Sequence, residues 1–137
     1  MNTILLLKWS IDVSLFILIW LVQIIIYPSF RYVDVDKFDF WHTRYMGLIT
    51  YFVAPLMLLQ AVATAYQLYY NFDWMTLISA VCIGLVWLST AVLSIPCHTS
   101  LQQSGFHSPT IEKLIATNWY RTVLWTVVVL INICVFL

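Results

Sequence analysis

Residues 95–121 read IPCHTSLQQSGFHSPTIEKLIATNWYR, and a long apolar run precedes and follows them. This polar stretch holds His98 and His107, two of the chain's three histidines, together with Asn118 and Arg121. Polar residues between two membrane-spanning segments are energetically costly unless they serve a function. We therefore expect this stretch, and the helix ends near it, to form the functional end of the molecule.

The composition of the whole chain indicates a membrane protein. Of its 137 residues, 63% are hydrophobic and 9% are charged, and the mean hydropathy is +0.92. A soluble domain carries roughly 25% charged residues. The formal net charge is zero, so we expect no nucleic-acid partner. The three cysteines are widely spaced and form no CxxC motif, so neither a disulfide framework nor a thiolate zinc site is predicted.

The order of the apolar runs predicts the fold. Four runs reach the roughly 20 residues that a bilayer crossing needs, and short turns join antiparallel neighbours. We predict an all-α fold, an integral membrane antiparallel four-helix bundle, in which residues 1–137 form a single four-span transmembrane domain. The expected helices cover residues 10–27, 40–69, 75–95 and 108–137, the last ending at Leu137.

Prolines mark three of the predicted helix ends. Pro28 and Pro96 are expected to end the first and third helices, because proline has no N–H to donate and its ring clashes with the preceding turn. Residues 97–108 are then a polar loop. The pair Ser108-Pro109, a capping residue followed by proline, predicts the start of the fourth helix.

Four crossings place both termini on one side of the membrane and residues 31–39 and 97–108 on the other. Lys8 and Asp12 are expected to mark the outer end of the first span. Most lysine and arginine residues lie near the two polar segments, and these residue types favour the cytoplasm. We therefore expect both termini outside and the polar loops in the cytoplasm, in a bacterial inner membrane. This topology collects six residues at one end of the bundle: His42, Arg44, His98, His107, Asn118 and Arg121.

The histidines are candidates for catalysis and for metal binding. His42 and His98 lie at the ends of neighbouring predicted spans, where they could act as acid–base groups or bind haem iron or another metal ion. His107 could add a third metal ligand, or it could be loop surface. For His42 and His98 the alternative is an interfacial position without any ligand.

The last helix carries a polar stripe. Asn118, Arg121, Trp125 and Asn132 fall on one face by helical spacing, and we predict that this face points inward. Arg121 and Asn118 could then hold a carbonyl or an oxyanion. An inward arginine near the boundary needs a partner, for which Glu112, the carbonyls near Pro96 or a bound anion are candidates. The alternative is an arginine that reaches the lipid headgroups.

An aromatic wall beside arginine and histidine suits a flat hydrophobic ligand such as a quinone, a porphyrin or a polyketide. Trp125, with His42, His98 and Arg44, is the candidate binding surface. For Arg44, which lies nearer the predicted helix end, contact with the headgroups is the favoured interpretation, and Trp125 could equally be a packing residue. On the first span, Gln23 is predicted to face the other helices, because lipid offers its amide no partner.

The motif Asn118-Trp119-Tyr120-Arg121, on a last helix that follows a polar loop, resembles the Asn-x-x-Arg pattern of the anthrone-oxygenase-like family. That resemblance implies a small four-helix membrane protein and covers nearly the whole chain in length and number of spans. Leu114 stands where the family pattern leads us to expect a tryptophan. The segments Trp20…Gln23…Tyr27-Pro28 and His42-Thr43-Arg44 are similar to the small haem-associated protoporphyrinogen oxidases of bacterial membranes. Both resemblances imply redox chemistry on flat aromatic substrates.

These observations predict a membrane oxidoreductase or cofactor-binding protein that is surrounded by membrane lipids and acts on a hydrophobic small molecule. The cofactor is left open, with haem and a histidine-bound metal as candidates. The alternative is a non-enzymatic membrane subunit that docks a partner protein through the same polar face. Another membrane protein or a second copy of the chain, in a homo-oligomer, is a candidate partner. A small transporter is disfavoured, because no acidic residue is expected within the membrane interior.

Overall fold

The computed structural model describes residues 3–136, and within them every regular element is helical. Four long helices are joined by short connections, and each is long and apolar enough to cross a membrane. The predicted all-α fold is confirmed. Leu137, where we expected the last helix to end, lies outside the described residues, as do Met1 and Asn2. The helices are α1 (Thr3–Tyr32), α2 (Val35–Tyr70), α3 (Trp74–Ser104) and α4 (Ser108–Phe136).

Two of the helices pass through prolines that were expected to end them. In α1 a π-helical segment, Val22–Ile26, ends two residues before Pro28, and in α3 the segment Thr90–Ser94 ends two residues before Pro96. A proline ring clashes with the carbonyl of the preceding turn, and the wider π turn gives that ring room. The prediction that these prolines stop the helices is therefore wrong.

Most of the predicted polar loop is consequently helical. α3 continues to Ser104, and Gly105 follows it with a φ of 73°, a left-handed conformation that glycine adopts without strain. The connection to α4 is residues 105–107 alone. The extension of α3 carries His98 into the interior of the molecule instead of leaving it in a surface loop.

Aspartates cap two of the helix starts. The Asp34 carboxylate accepts a hydrogen bond from the Asp36 backbone N–H in the first turn of α2. At the start of α3 the Asp73 carboxylate accepts from the Thr76 N–H, at 2.8 Å, and from its hydroxyl. Partial burial raises the pKa of the Asp73 carboxyl, but the hydrogen bonds from Thr76 outweigh this effect and leave the pKa below its usual value. Both caps satisfy N–H groups that have no partner within the helix.

The four helices pack in a ring in which each helix makes most of its contacts with two neighbours. α1 packs against α2 and α4, and α3 packs against the same two helices. The residue numbers of the contacting pairs run in opposite directions along α1 and α4. Lys8 contacts Asn132, Trp20 contacts Thr126, and Gln23 contacts Asn118. A core of fully buried apolar side chains fills the space between them, including Leu15, Phe30, Val86, Leu101 and Leu114.

We expected Lys8 and Asp12 to mark the outer end of the first span. Instead, both side chains are buried between the helices. Lys8 is 2% exposed and Asp12 is 0% exposed, and Lys8 Nζ lies 2.6 Å from Asp12 Oδ2. Asn132 Nδ2 donates to the same oxygen at 2.8 Å, and Gln60 Nε2 donates to Asp12 Oδ1 at 2.7 Å. Trp125 Nε1 in turn donates to Gln60 Oε1 at 3.0 Å. We call these five residues the Lys8–Asp12 cluster.

The reason for this difference is the start of α1. The helix is described from Thr3, well before the predicted start at residue 10, so Lys8 and Asp12 lie one and two turns inside it and share one face. Asp12 is thus an acidic residue within a helix that can cross a membrane. Its burial inside the protein was not expected from the sequence, whereas its depth relative to a membrane stays a prediction.

Candidate functional site

A chain of hydrogen bonds links one side chain from each of the four helices. His42 Nε2 on α2 and His98 Nδ1 on α3 are 3.0 Å apart. The other ring nitrogen of His98, Nε2, is 3.0 Å from the hydroxyl oxygen of Tyr27 on α1. Arg121 Nη2 on α4 donates to that same hydroxyl at 3.1 Å. All four side chains are buried, so a continuous polar path runs through the interior. We call it the His–Tyr–Arg chain.

The surroundings of the two imidazoles are aromatic. The His42 ring stacks on Phe38, with ring centroids 5.4 Å apart, and meets Phe30 edge-on. The His42 and His98 rings lie 5.2 Å apart with 24° between their planes. His42 Nδ1 is buried and has no hydrogen-bond partner within the described residues. One end of the chain is therefore a free imidazole nitrogen in an apolar environment.

Arg121 is held on one side and open on the other. Its Nη2 donates to Asn118 Oδ1 as well as to Tyr27, while its Nε is buried and has no partner in residues 3–136. Arg121 is the fourteenth of the 29 residues of α4, so it lies near the middle of that helix and not at its boundary. Glu112, one of its expected partners, instead makes a two-point ion pair with the exposed Arg31, at 2.6 and 2.8 Å.

Gln23 holds the asparagine beside this arginine. Gln23 Oε1 accepts from Asn118 Nδ2 at 2.8 Å and from the Thr122 hydroxyl at 3.1 Å, and Gln23 Nε2 donates to the carbonyl of Ile115 at 3.1 Å. Because its amide nitrogen is engaged by Gln23, Asn118 turns its oxygen toward Arg121. Gln23 and Asn132 thus face other helices, as expected. All four residues of the stripe predicted on the last helix are buried.

A cavity of about 270 Å³ lies against the His–Tyr–Arg chain. Tyr27, His98 and Arg121 form its polar end, and the Trp125 ring forms part of its wall. The remaining wall is mostly aliphatic and includes Leu15, Ile19, Val22, Ile49, Val53 and Met57.

We infer that this cavity opens between α2 and α3, because its exposed lining residues lie on these two helices. Thr50 of α2, and Trp87 and Ile95 of α3, line the cavity and are exposed at the surface, Ile95 by 55%. Helices that can cross a membrane expose their flanks to lipid, so an opening between two flanks would face the lipid. Such an opening admits hydrophobic molecules and disfavours water-soluble ones.

The structure brings together some of the predicted site residues and separates others. His42, His98, Asn118 and Arg121 form one cluster, and Trp125 reaches the adjoining cavity. Tyr27 joins them although it was not a predicted site residue. Its spacing of four residues from Gln23 was the available signal, since both then lie on one helical face.

Two predicted site residues lie elsewhere. Arg44 is exposed on the outer surface of α2, beside Trp41 and Tyr45. His107 is exposed at the start of α4, where its Nδ1 is 2.8 Å from the Thr110 hydroxyl and accepts the Thr110 backbone N–H at 3.3 Å. His107 therefore has a capping position in this structure.

The geometry does not fit a metal ion or haem iron held between His42 and His98. Both nitrogens of His98 are engaged, and His42 Nε2 contacts His98 directly, which leaves no gap between the two rings. Within the described residues no group of three His, Cys, Asp or Glu side chains is placed to hold a metal ion.

Searches with this chain against protein-family models, curated protein sequences and solved structures returned no match. The interpretation of the site therefore rests on its geometry. The resemblance to the anthrone-oxygenase-like family stays a prediction.

Proposed function

We propose that the four helices cross a lipid bilayer as an antiparallel bundle. The length and apolar character of the helices support this arrangement. The contacts between α1 and α4 also support it, because the residue numbers on α4 decrease as those on α1 increase. The wide exposure of large hydrophobic side chains on the helix flanks also suits a lipid environment.

The exposed charges support an orientation. Lys8, in the half of the molecule near the termini, is buried and paired, whereas the exposed basic residues lie near the α1–α2 and α3–α4 connections. Under the positive-inside rule this end faces the cytoplasm and the termini face outward. We propose the bacterial inner membrane, in line with the resemblance to bacterial membrane oxidases. The exposed basic residues are Arg31, Lys37, Arg44 and Lys113.

We further propose that the cavity binds a flat hydrophobic small molecule bearing a carbonyl or oxyanion, and that the protein acts on it as a membrane oxidoreductase. One observation carries this proposal: an apolar cavity that opens between two helices has Tyr27, His98 and Arg121 together at its polar end. Cavities with mostly apolar walls and a few convergent polar groups are typical of small-molecule sites.

The polar end has parts suited to proton chemistry. The Arg121 guanidinium, which lines the cavity, can donate to a ligand oxygen on which negative charge develops. Tyr27 and the two imidazoles can pass a proton along the His–Tyr–Arg chain, because a neutral imidazole has one donor and one acceptor nitrogen. When a ligand O–H or acidic C–H bond breaks, its electron pair stays on the ligand, next to Arg121, and the proton enters the chain at the Tyr27 oxygen, while the Tyr27 hydroxyl proton passes to His98 Nε2. Proton loss of this kind precedes the oxidation of many phenols and carbonyl compounds, and the electrons would pass to a second substrate, dioxygen or a quinone.

A binding experiment tests the proposal. Trp87 and Trp125 line the cavity, so a ligand that enters it should quench tryptophan fluorescence. We expect saturable quenching of the detergent-purified protein by 1,4-naphthoquinone. Ala54 also lines the cavity, and Ala54→Phe should fill part of it and weaken binding by about tenfold or more.

Ala65 supplies the matched control. It is exposed on the same helix and does not line the cavity, so Ala65→Phe should leave the affinity unchanged. Equal affinities for wild type and Ala54→Phe would show that the quinone binds elsewhere and would refute the proposed site.

The non-enzymatic subunit is the second candidate, and one surface feature favours it. Tyr32, Val35 and Phe40, around the α1–α2 connection, are exposed by 86%, 63% and 76% among charged neighbours. Exposed apolar groups of this kind are typical of contact surfaces. If the protein is a docking subunit, polar substitution of Phe40 should release a co-purifying partner and leave naphthoquinone binding unchanged.

A further inference from the structure

The charge of Arg121 has no counter-charge inside the protein. Three residues with formal charge are buried: Lys8, Asp12 and Arg121. Lys8 and Asp12 neutralise each other at 2.6 Å. Of the other Asp, Glu, Lys and Arg residues, all of which lie within residues 3–136, none is buried. The interior therefore holds one uncompensated positive charge, on Arg121.

The neighbours of Arg121 do not supply the missing negative charge. Its contacts are a phenol hydroxyl, on Tyr27, and an amide oxygen, on Asn118. Its Nε remains without a partner, although Arg121 is 6% exposed and lines the cavity. An arginine within membrane-spanning helices ordinarily pairs with another group or faces a site that it serves. Guanidinium groups bind carboxylate and other oxyanions with high geometric preference.

We propose that the ligand of this cavity binds as a hydrophobic anion, a carboxylate or a phenolate on a small ring system, with its charged oxygen on Arg121. This proposal rests on the proposed function, since it assumes that the cavity binds a hydrophobic small molecule. The apolar walls receive the ring body. The volume of about 270 Å³ lies just below the range of roughly 300–1,000 Å³ usual for such sites, which favours a small ring system over a long-chain lipid.

The anionic oxygen completes the site. It removes the uncompensated charge on the Arg121 guanidinium, which lines the cavity, and leaves the Arg121 contacts with Tyr27 and Asn118 in place. A neutral carbonyl could accept a hydrogen bond but would not supply the charge. The selective feature of this cavity is thus the ionisation state of the ligand.

The test compares two ligands of nearly identical shape, 2-naphthoate and 2-naphthamide. Their affinities for the detergent-purified full chain at neutral pH are measured by tryptophan fluorescence in an uncharged detergent. We expect 2-naphthoate to bind at least about tenfold more tightly than 2-naphthamide. In Arg121→Gln, which keeps hydrogen-bonding groups but removes the charge, the two affinities should become equal. Arg44→Gln, at an exposed position outside the cavity, should retain the preference of the wild type.

The outcomes separate this proposal from the one on which it rests. Equal binding of both ligands to the wild type would overturn the anion proposal and leave the hydrophobic cavity site standing. Binding of neither ligand would overturn both. Acetate, tested in parallel, has the charge without the rings. Competition by acetate at the same concentration as 2-naphthoate would show that a carboxylate alone suffices and would overturn the requirement for a ring system. The wild-type comparison decides even if Arg121→Gln does not fold.

Discussion

Replacing Asp12 by asparagine is predicted to destabilise the protein by about 3–5 kcal/mol, because it leaves the Lys8 ammonium buried without a counter-charge. Both side chains are almost completely buried, and the Asp12 carboxylate receives hydrogen bonds from Lys8, Asn132 and Gln60 at 2.6, 2.8 and 2.7 Å. Without that carboxylate, residue 12 offers a single neutral oxygen for which Lys8 and Gln60 compete, and the other acceptor of the cluster, Asn132 Oδ1, lies 3.4 Å from Lys8 Nζ. That contact is too long to offset the desolvation of an ammonium group.

The partner substitution should cost less. In Lys8→Met the carboxylate of Asp12 keeps its two amide donors, on Gln60 and Asn132, and can also bind a proton. We expect a loss of about 1–3 kcal/mol. In the double variant Lys8→Met/Asp12→Asn no charge remains. The new amide can accept from Gln60 and, once the Asn132 amide turns its oxygen toward residue 12, donate to that oxygen, so the stability of the double variant should lie within about 1 kcal/mol of the wild type.

Reversible unfolding in mixed detergent–SDS micelles, followed by circular dichroism, measures these differences. The matched control is Glu112→Gln, which breaks the exposed ion pair with Arg31, whose side chains are 41% and 50% exposed. Exposed pairs contribute about 0–1 kcal/mol even in good geometry. A loss below about 1 kcal/mol for Asp12→Asn, or a double variant less stable than either single one, would refute the reasoning that Lys8 and Asp12 are a desolvated pair.

Two further predictions concern the site and the topology. Arg121→Lys should weaken ligand binding about as much as Arg121→Ala, by about ten- to a hundredfold, because one ammonium cannot reproduce the planar donors that contact two protein groups and a ligand together. Arg44→Lys should be tolerated, and full binding by Arg121→Lys in the same fluorescence titration would count against a two-point grip. Single cysteines at Asp34 and Gln103, in a cysteine-free background, should react with an impermeant maleimide from one side of the membrane and a cysteine at Asn71 from the other. Labelling of Asp34 and Gln103 from opposite sides would rule out the proposed crossing pattern.

The features that the sequence could predict are local to single helices. Long apolar runs and a low content of charged residues require buried or lipid-facing helices whatever their partners are, so the four helices followed from the length and order of the apolar runs. The inward face of α4 was also predictable, because the spacing of Asn118, Arg121 and Trp125 is fixed within one helix. No knowledge of the other helices was needed.

The features that escaped prediction depend on how helices meet. Pro28 and Pro96 look like helix ends because a proline weakens a helix locally, and the π-helical turns that accommodate them are not visible in residue spacing. Charged residues such as Lys8 and Asp12 are typical of the ends of membrane spans. Their burial depends on the side-chain amides of Gln60 and Asn132, which lie on other helices. The chain alone could not show which distant residues would provide those amides.

The difference between the two buried polar clusters decides what each can do. In the Lys8–Asp12 cluster both carboxylate oxygens are engaged by protein donors, and neither Lys8 nor Asp12 has a polar atom without a partner. An acidic residue that carries ions or protons must exchange partners, so this cluster is better suited to fixing the positions of α1, α2 and α4 than to transport.

In the His–Tyr–Arg chain, by contrast, donors and acceptors without partners remain at His42 Nδ1 and Arg121 Nε. Trp125 joins the two clusters, since its Nε1 is held by Gln60 while its ring forms a wall of the cavity. The Lys8–Asp12 cluster therefore fixes one wall of the cavity, and the His–Tyr–Arg chain can bind a ligand in that cavity. For this reason we expect Asp12 substitutions that preserve folding to change ligand affinity through the position of Trp125, without any contact between Asp12 and the ligand.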